Sequence, residues 1–354
     1  MAVDGPDARP DGRGRMLRLF LLALVIIGLG PGTFVRAPVS SRSDAAAVTV
    51  TPMTERSGVS GELTLTGAWE LTSPHGWFGG FSALVAKGSA GLIAGSDRGF
   101  LLDLDLPGGT PRAVAGSFRF VGLRAADGDE IIDLESLARD PDTGTLWAGF
   151  ENANLIARFG AGGAKASRAP PEMAEWSINS GPETMVRLAD GRFVVIAEGR
   201  GRGGDAYHPS LLFKGDPVEG GTPVTFSLAA PADYDPVDAT QLPDGRVLIL
   251  LRRVEYAIPA RFDTAIALAD PQTIRAGKPW RAQVIQRLDG GIFADNFEGI
   301  AFVPSAEDPA RGAIWLIADD NFSLFQRSLL VRFDWNPAAG LLPANEKAPG
   351  RPNA

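Results

Sequence analysis

The chain contains no cysteine, which excludes disulfides, thiolate metal sites and a cysteine nucleophile together. Its only histidines are His75 and His208. So few leave little room for a zinc centre, and no Gly-x-Ser-x-Gly turn is present to support a Ser-His-Asp site. No block of Lys and Arg interrupts the body of the chain, and 42 acidic against 34 basic residues give a net charge of −8. Nucleic acid is therefore not an expected partner. Long apolar runs are also missing. The run over residues 19–29 has eleven residues, too few to span a bilayer comfortably as a helix.

That run follows Arg9, Arg13, Arg15 and Arg18 and precedes Gly30-Pro31-Gly32, the pattern of a secretory signal. Residues 1–47 are accordingly read as a signal peptide or signal-anchor with a linker, starting at Met1 or Met16. Ala45-Ala46-Ala47 offers small residues for cleavage but lies far beyond the apolar run. The expected location is periplasmic or secreted. The alternative is an uncleaved anchor in the inner membrane over residues 17–30, the only membrane contact foreseen. Removal of residues 1–47 takes six Arg and four Asp away and leaves a net charge of −10.

What the chain has in quantity is Gly and Pro, 43 and 27 residues, as many short strands joined by many turns require. Five segments align: Phe81-Ser82-Ala83-Leu84-Val85, Leu134-Glu135-Ser136-Leu137-Ala138, Pro182-Glu183-Thr184-Met185-Val186, Val237-Asp238-Ala239-Thr240-Gln241 and Phe297-Glu298-Gly299-Ile300-Ala301. Their starts are 53, 48, 55 and 60 residues apart, a period suited to one four-stranded sheet per repeat. Turn signals such as Asp190-Gly191 and Asp244-Gly245 separate each segment from a second apolar strand. Third strands are expected at 101–104, 155–159, 210–213, 264–268 and 328–333, and fourth strands at 113–121, 176–178, 224–228 and 282–288. The last repeat lacks a fourth strand of its own, and the alternating segment 63–71 is free to supply it, closing the ring. The reading is an all-β propeller over residues 48–340 with five four-stranded blades, six being the alternative, and a disordered tail over 341–354.

The second position of each aligned segment is Ser82, Glu135, Glu183, Asp238 or Glu298, and the following strand ends in Asp97, Glu151, Glu198, Arg252 or Asp319-Asp320. The two strands are antiparallel and share a hairpin, so both sets fall at one mouth of the channel. An acidic ring is expected there, broken by Arg252 and Arg253. Clustered carboxylates raise one another's pKa unless a cation compensates them, and Ca²⁺ suits such oxygen donors. The other reading is that each acid only bonds the backbone at its blade's entry. The stretch Glu198-Gly199-Arg200-Gly201-Arg202-Gly203-Gly204-Asp205 lacks the ending of a nucleotide-binding loop but offers arginines for an anion. A solvated loop is the equal alternative.

Three runs resemble the bacterial phytase-like, esterase-like proteins over residues 75–335. They are Asp133-Leu134-Glu135-Ser136-Leu137-Ala138 with Trp147 and Phe150-Glu151; Pro236-Val237-Asp238-Ala239-Thr240 through Leu250-Leu251-Arg252-Arg253; and Asn296-Phe297-Glu298-Gly299-Ile300-Ala301 with Asp319-Asp320-Asn321-Phe322-Ser323 and Gln326-Arg327. The resemblance implies a propeller related to the calcium-dependent phytases, hydrolysing a small-molecule ester or phosphoester as a monomer. In those enzymes carboxylates hold Ca²⁺, which bridges the phosphate and activates water. Carried over by position, Glu135, Glu183, Asp238, Glu298, Asp319 and Asp320 become candidate metal ligands. Glu298, Asp320 and Glu135 become candidate catalytic groups, and Arg200, Arg252, Arg253 and Arg327 candidate anion contacts. The alternatives are a non-catalytic binding or scaffold propeller of the cell envelope, and a lactonase using Asn296, Asn321 or Asn152 beside one metal.

Overall fold

Strand Val247–Glu255 begins with five apolar residues in succession. Successive side chains of a strand point to opposite faces. Val247, Ile249 and Leu251 accordingly pack with Val186, Val194 and Ile196 on one side, while Leu248 and Leu250 pack with Phe297, Ile300 and Leu316 on the other. A strand that is apolar on both faces must be covered on both, so its sheet is wedged between two others. The same division recurs in Gly312–Asp319, where Ile314, Leu316 and Ala318 face one neighbour and Ala313, Trp315 and Ile317 the other. Each such contact buries Leu- or Ile-sized side chains worth roughly 1.5–3 kcal/mol apiece.

The computed structural model describes residues 47–335 apart from 55–58, 62, 125–129, 132, 161–162, 178, 202–206 and 256–260. The expected targeting segment, up to residue 46, and the expected tail over 341–354 lie outside the described residues. Five antiparallel blades form the body. Blade 1 comprises Phe81–Ala86, Gly91–Ser96 and Phe100–Asp105, with short outer pieces Arg112–Ala113 and Arg119–Phe120. Blade 2 comprises Leu134–Arg139, Leu146–Phe150, Leu155–Gly160 and Gly163–Arg168. Blade 3 comprises Thr184–Arg187, Phe193–Ile196, Tyr207–Phe213 and Val224–Ala229. Blade 4 comprises Asp235–Gln241, Val247–Glu255, Arg261–Ala269 and Gln283–Leu288, and blade 5 Asn296–Pro304, Gly312–Asp319, Leu329–Trp335 and Thr64–Thr72. The first strands contact one another in a closed circuit around the axis. Apolar clusters fill each of the junctions between neighbouring blades.

The N-terminal strand closes the ring as the pattern requires: Thr64–Thr72 pairs with Leu329–Trp335, and Trp69 stacks on Trp315 at 5.5 Å. The preceding Val59–Gly61 pairs with the outer strand of blade 4, so the N-terminal segment ties two blades together. The Asp-Gly turns fall where expected, with Gly191 at φ 87° and Gly245 at φ 89°, backbone that favours glycine. Two expectations are corrected. The outer strand of blade 2 is Gly163–Arg168, not 176–178; Trp176 instead packs in the core between blades 2 and 3. An outermost strand faces solvent and carries polar residues, so apolarity was the wrong guide to it. Blade 1 has its outer strand broken into two pieces rather than continuous over 113–121.

Candidate active site at the acidic mouth

The site is built by a defect repeated in the innermost strands. Their pairing with the second strands slips between Phe81 and Ala83, Leu134 and Ser136, Pro236 and Asp238, and Phe297 and Gly299. Each slip leaves one residue opposite nothing, and such a bulge re-aims a side chain. The bulged residues are Ser82, Glu135, Val237 and Glu298. Register therefore corrects the sequence alignment by one residue in blade 4, where Val237 and not Asp238 is the counterpart of Glu135 and Glu298. A slip of one residue sends a side chain to the other face. Asp238 is fully buried, and its Oδ2 accepts from Ile300 N at 2.8 Å and Leu84 N at 3.4 Å while Oδ1 accepts from Ala239 N at 2.8 Å. It joins the inner strands of blades 4, 5 and 1. Burial pushes its pKa well up against those N–H groups.

The second set of positions is as the hairpin geometry demands. Asn296 pairs with Asp319 and Asp235 with Arg252, while Asp97, Glu151 and Glu198 donate their N–H to the carbonyls of Gly80, Asp133 and Gly181. By register, Asp133 thus occupies the position of Asp235 and Asn296, one residue before Leu134, Pro236 and Phe297. Together with Glu135 and Glu151 it brings one carboxylate oxygen apiece within 4.8 Å of the other two. The aligned segments give Asp133 no role, although a polar residue precedes the segment in blades 2 and 5, and register adds Asp235 of blade 4.

Burial, then the charges of Asp97, Asp133 and Glu151, hold the Glu135 carboxyl well above its ordinary range. Glu183 is raised by burial and then by Glu135 and Glu198, and it shares a hydrogen bond with Glu151. Asp97 is raised by burial and then by Asp319. Burial, then Asp320, lifts Asp319 to about 7 in spite of the Asn321 N–H and Arg252. Asp133 is raised by burial, against the Glu151 hydrogen bond and Arg98. A negative cluster of this kind, made wholly of carboxylate oxygens, fits a hard divalent cation at Asp133, Glu135 and Glu151.

The other arc is different. The Arg252 guanidinium contacts the carboxylates of Glu198 and Glu298 and lies 3.1 Å from Asn296 Oδ1. Burial disfavours its charge, but Glu198 and Glu183 outweigh that and keep it protonated. Glu298 also accepts from Asn296 Nδ2 at 2.8 Å. Asp320 serves the backbone: its Oδ1 accepts from Gly80 N and Phe322 N, both at 3.0 Å, and its Oδ2 from Ser328 Oγ at 3.0 Å. Of the remaining arginines named from the sequence, Arg253 pairs with Asp263, Arg200 lies 3.4 Å from Asp235 Oδ1, and Arg327 lies 2.7 Å from Asp295 Oδ2. Residues 202–206 of the Gly-Arg stretch lie outside the described residues. His208 is buried with Nδ1 2.7 Å from the Glu198 carbonyl, and Ser210 Oγ donates to the His208 carbonyl rather than to its ring. His75 packs edge-on against Phe118.

The sequence matches the family described as "Phytase-like: Esterase-like activity of phytase" over residues 76–322. No curated protein matches. Solved structures similar to this chain include virginiamycin B lyase from Staphylococcus aureus, at 12% identity and TM-score 0.39, covering 82% of this chain and 100% of that one. A nidogen/laminin complex is similar at 11% identity and TM-score 0.41, covering 80% and 96%. Kuenenia stuttgartiensis hydrazine synthase is similar at 12% identity and TM-score 0.35, covering 68% of this chain and 55% of that one.

Proposed function

The chain belongs to the phytase-like family with esterase-like activity, and from that premise we propose that it is an exported, metal-dependent hydrolase of phosphoesters or related esters. The family suggests hydrolysis on a propeller; the observation that carries the finer reading is the triad Asp133, Glu135 and Glu151, converging at the mouth with no ion pair to any of them among the described residues. A hard divalent cation held there, Ca²⁺ by its preference for oxygen, would polarise a substrate oxygen and acidify a bound water. The chain's own groups do the rest. Asp319, raised to about 7, is poised to take a proton near neutral pH. Arg252 holds Glu198 and Glu298 in place as part of the wall. Arg98, 4.0 Å from Asp97 Oδ1, offers a cation to the substrate's anionic group. Export rests on the Arg-flanked apolar run of residues 19–29.

The test uses chelator-stripped full-length protein on a panel of phosphomonoesters, phosphodiesters and carboxyl esters, with and without Ca²⁺. Turnover that needs Ca²⁺ and is lost in Glu135→Gln and Asp133→Asn is expected. Tight ligand retention with no turnover of any ester, in either condition, would instead support a binding propeller.

A further inference from the structure

A pocket borders the acidic ring at Asp320, which forms part of its wall. Its volume is about 430 Å³, and its walls include His75, Trp77, Phe78, Arg98, Phe322 and Arg327. Arg98 stands over the rings of Trp77 and Phe322, 5.3 and 4.9 Å from their centroids. Arg200 and Arg327 each have a carboxylate oxygen within 3.4 Å, and Arg252 and Arg253 are in direct contact with theirs. Among the described residues, the ion-pair contact of Arg98 is the 4.0 Å one with Asp97, and its Nε is buried without a hydrogen-bond partner there. Phe322 is held at φ 51°, a conformation a bulky residue rarely adopts. Strain of that kind costs on the order of 1–3 kcal/mol and persists where surrounding contacts enforce it. Here the Phe322 N–H bond to Asp320 keeps the ring over Arg98.

The electrostatics limit what can enter. A polyphosphorylated ligand would meet the carboxylates of Asp320 and Glu70 in the pocket wall, with Arg98 and the Asp295-paired Arg327 to offset them, and like charges in juxtaposition are costly. A ligand with one anionic group and an apolar body meets rings and a cation instead. Resting on the hydrolase reading above, we propose that this pocket is the leaving-group subsite and that the substrate is an aryl phosphoester, its ring lodged against Trp77 and Phe322 and a phosphoryl oxygen on Arg98. Hydrolysis there forms a bond from a water oxygen to phosphorus and breaks the bond from phosphorus to the aryl oxygen. The departing phenolate takes up the proton that the water gives off.

Binding and turnover are measured separately on the full chain with Ca²⁺, using 1-naphthyl phosphate and inositol hexakisphosphate. Calorimetry is expected to show 1-naphthyl phosphate bound at least about tenfold more tightly than the polyphosphate. Arg98→Gln and Phe322→Leu should each weaken it about tenfold, the effect of losing one charged or ring contact of roughly 1–2 kcal/mol. Arg98→Lys should restore part of the loss. Preference for inositol hexakisphosphate, binding of neither ligand, or naphthyl phosphate binding unchanged in both variants overturns the subsite. Binding that depends on Arg98 and Phe322 without hydrolysis supports the subsite and sinks the hydrolase reading. A folding failure of Phe322→Leu leaves the Arg98 pair of variants to decide.

Discussion

Two arcs of the same mouth solve the problem of crowded carboxylates in different ways. Around Arg252 the negative charges of Glu198 and Glu298 are met by a cation from the chain itself. Around Asp133, Glu135 and Glu151 they are met by raised pKa values and shared protons. The first arc is complete as folded, whereas the second is balanced only when protons or a metal arrive. A break in an acidic repeat can therefore mark the part of a ring that the chain neutralises by itself. The sequence alone points the other way, because Arg252 stands out.

The largest effect should come from the closed arc. Arg252→Met leaves the part-buried carboxylates of Glu198 and Glu298 without their cation and is expected to cost about 3–5 kcal/mol in urea unfolding with chelator present. A loss under 1 kcal/mol would show that this arc is not held by its arginine. Asp238, which lies outside the ring, comes next. Asp238→Ala orphans buried N–H groups of Ile300, Leu84 and Ala239, and a loss of about 2–3 kcal/mol is expected whether or not Ca²⁺ is present. The open arc should respond with the opposite sign. Glu135→Gln relieves repulsion and is expected to raise the Tm of the metal-free protein. The same variant should abolish any rise in Tm on adding Ca²⁺.

A separate effect is that of pH on the metal-free protein. The folded state raises Asp319 from its ordinary 3.8 to about 7, so it binds this proton more tightly than the unfolded chain does. The contribution of Asp319 to stability therefore falls as pH rises from about 4 to 7 and is flat above that. Tm should rise by a few degrees on acidifying from pH 8 to 5. Asp140, Asp190 and Asp244 are lowered by hydrogen bonds that outweigh burial, and their stabilisation is lost only at still lower pH. Ca²⁺ should flatten the profile between pH 5 and 8. A Tm that falls on acidifying from pH 8 to 5 with chelator present would contradict the raised carboxyls.

The fold was legible because inner strands repeat their apolar pattern and turn residues, which burial between blades imposes. The outer strands were less so. Gly163–Arg168 faces solvent and carries no apolar signature, and Pro279–Arg281 adds to blade 3 in parallel from a connection within blade 4, a pairing that no local signal announces. In the site, Glu135, Glu151, Glu183 and Asp319 were placed at the right end by hairpin logic. Asp238 was misaligned because Pro236-Val237-Asp238 can be threaded with either residue as the bulge, and only pairing with Leu250 decides between them. Arg98 escaped notice because its significance is the looseness of its pairing, a property of three-dimensional neighbours.

The difference between the arcs is tested most directly by anomalous diffraction from crystals grown without metal and soaked in Tb³⁺, a Ca²⁺ substitute with strong scattering. A single peak bounded by Asp133, Glu135 and Glu151, displaced by excess Ca²⁺ and missing in Glu135→Gln, is the expected result. An empty triad, or a peak between Glu198 and Glu298 in place of the Arg252 guanidinium, would contradict the account.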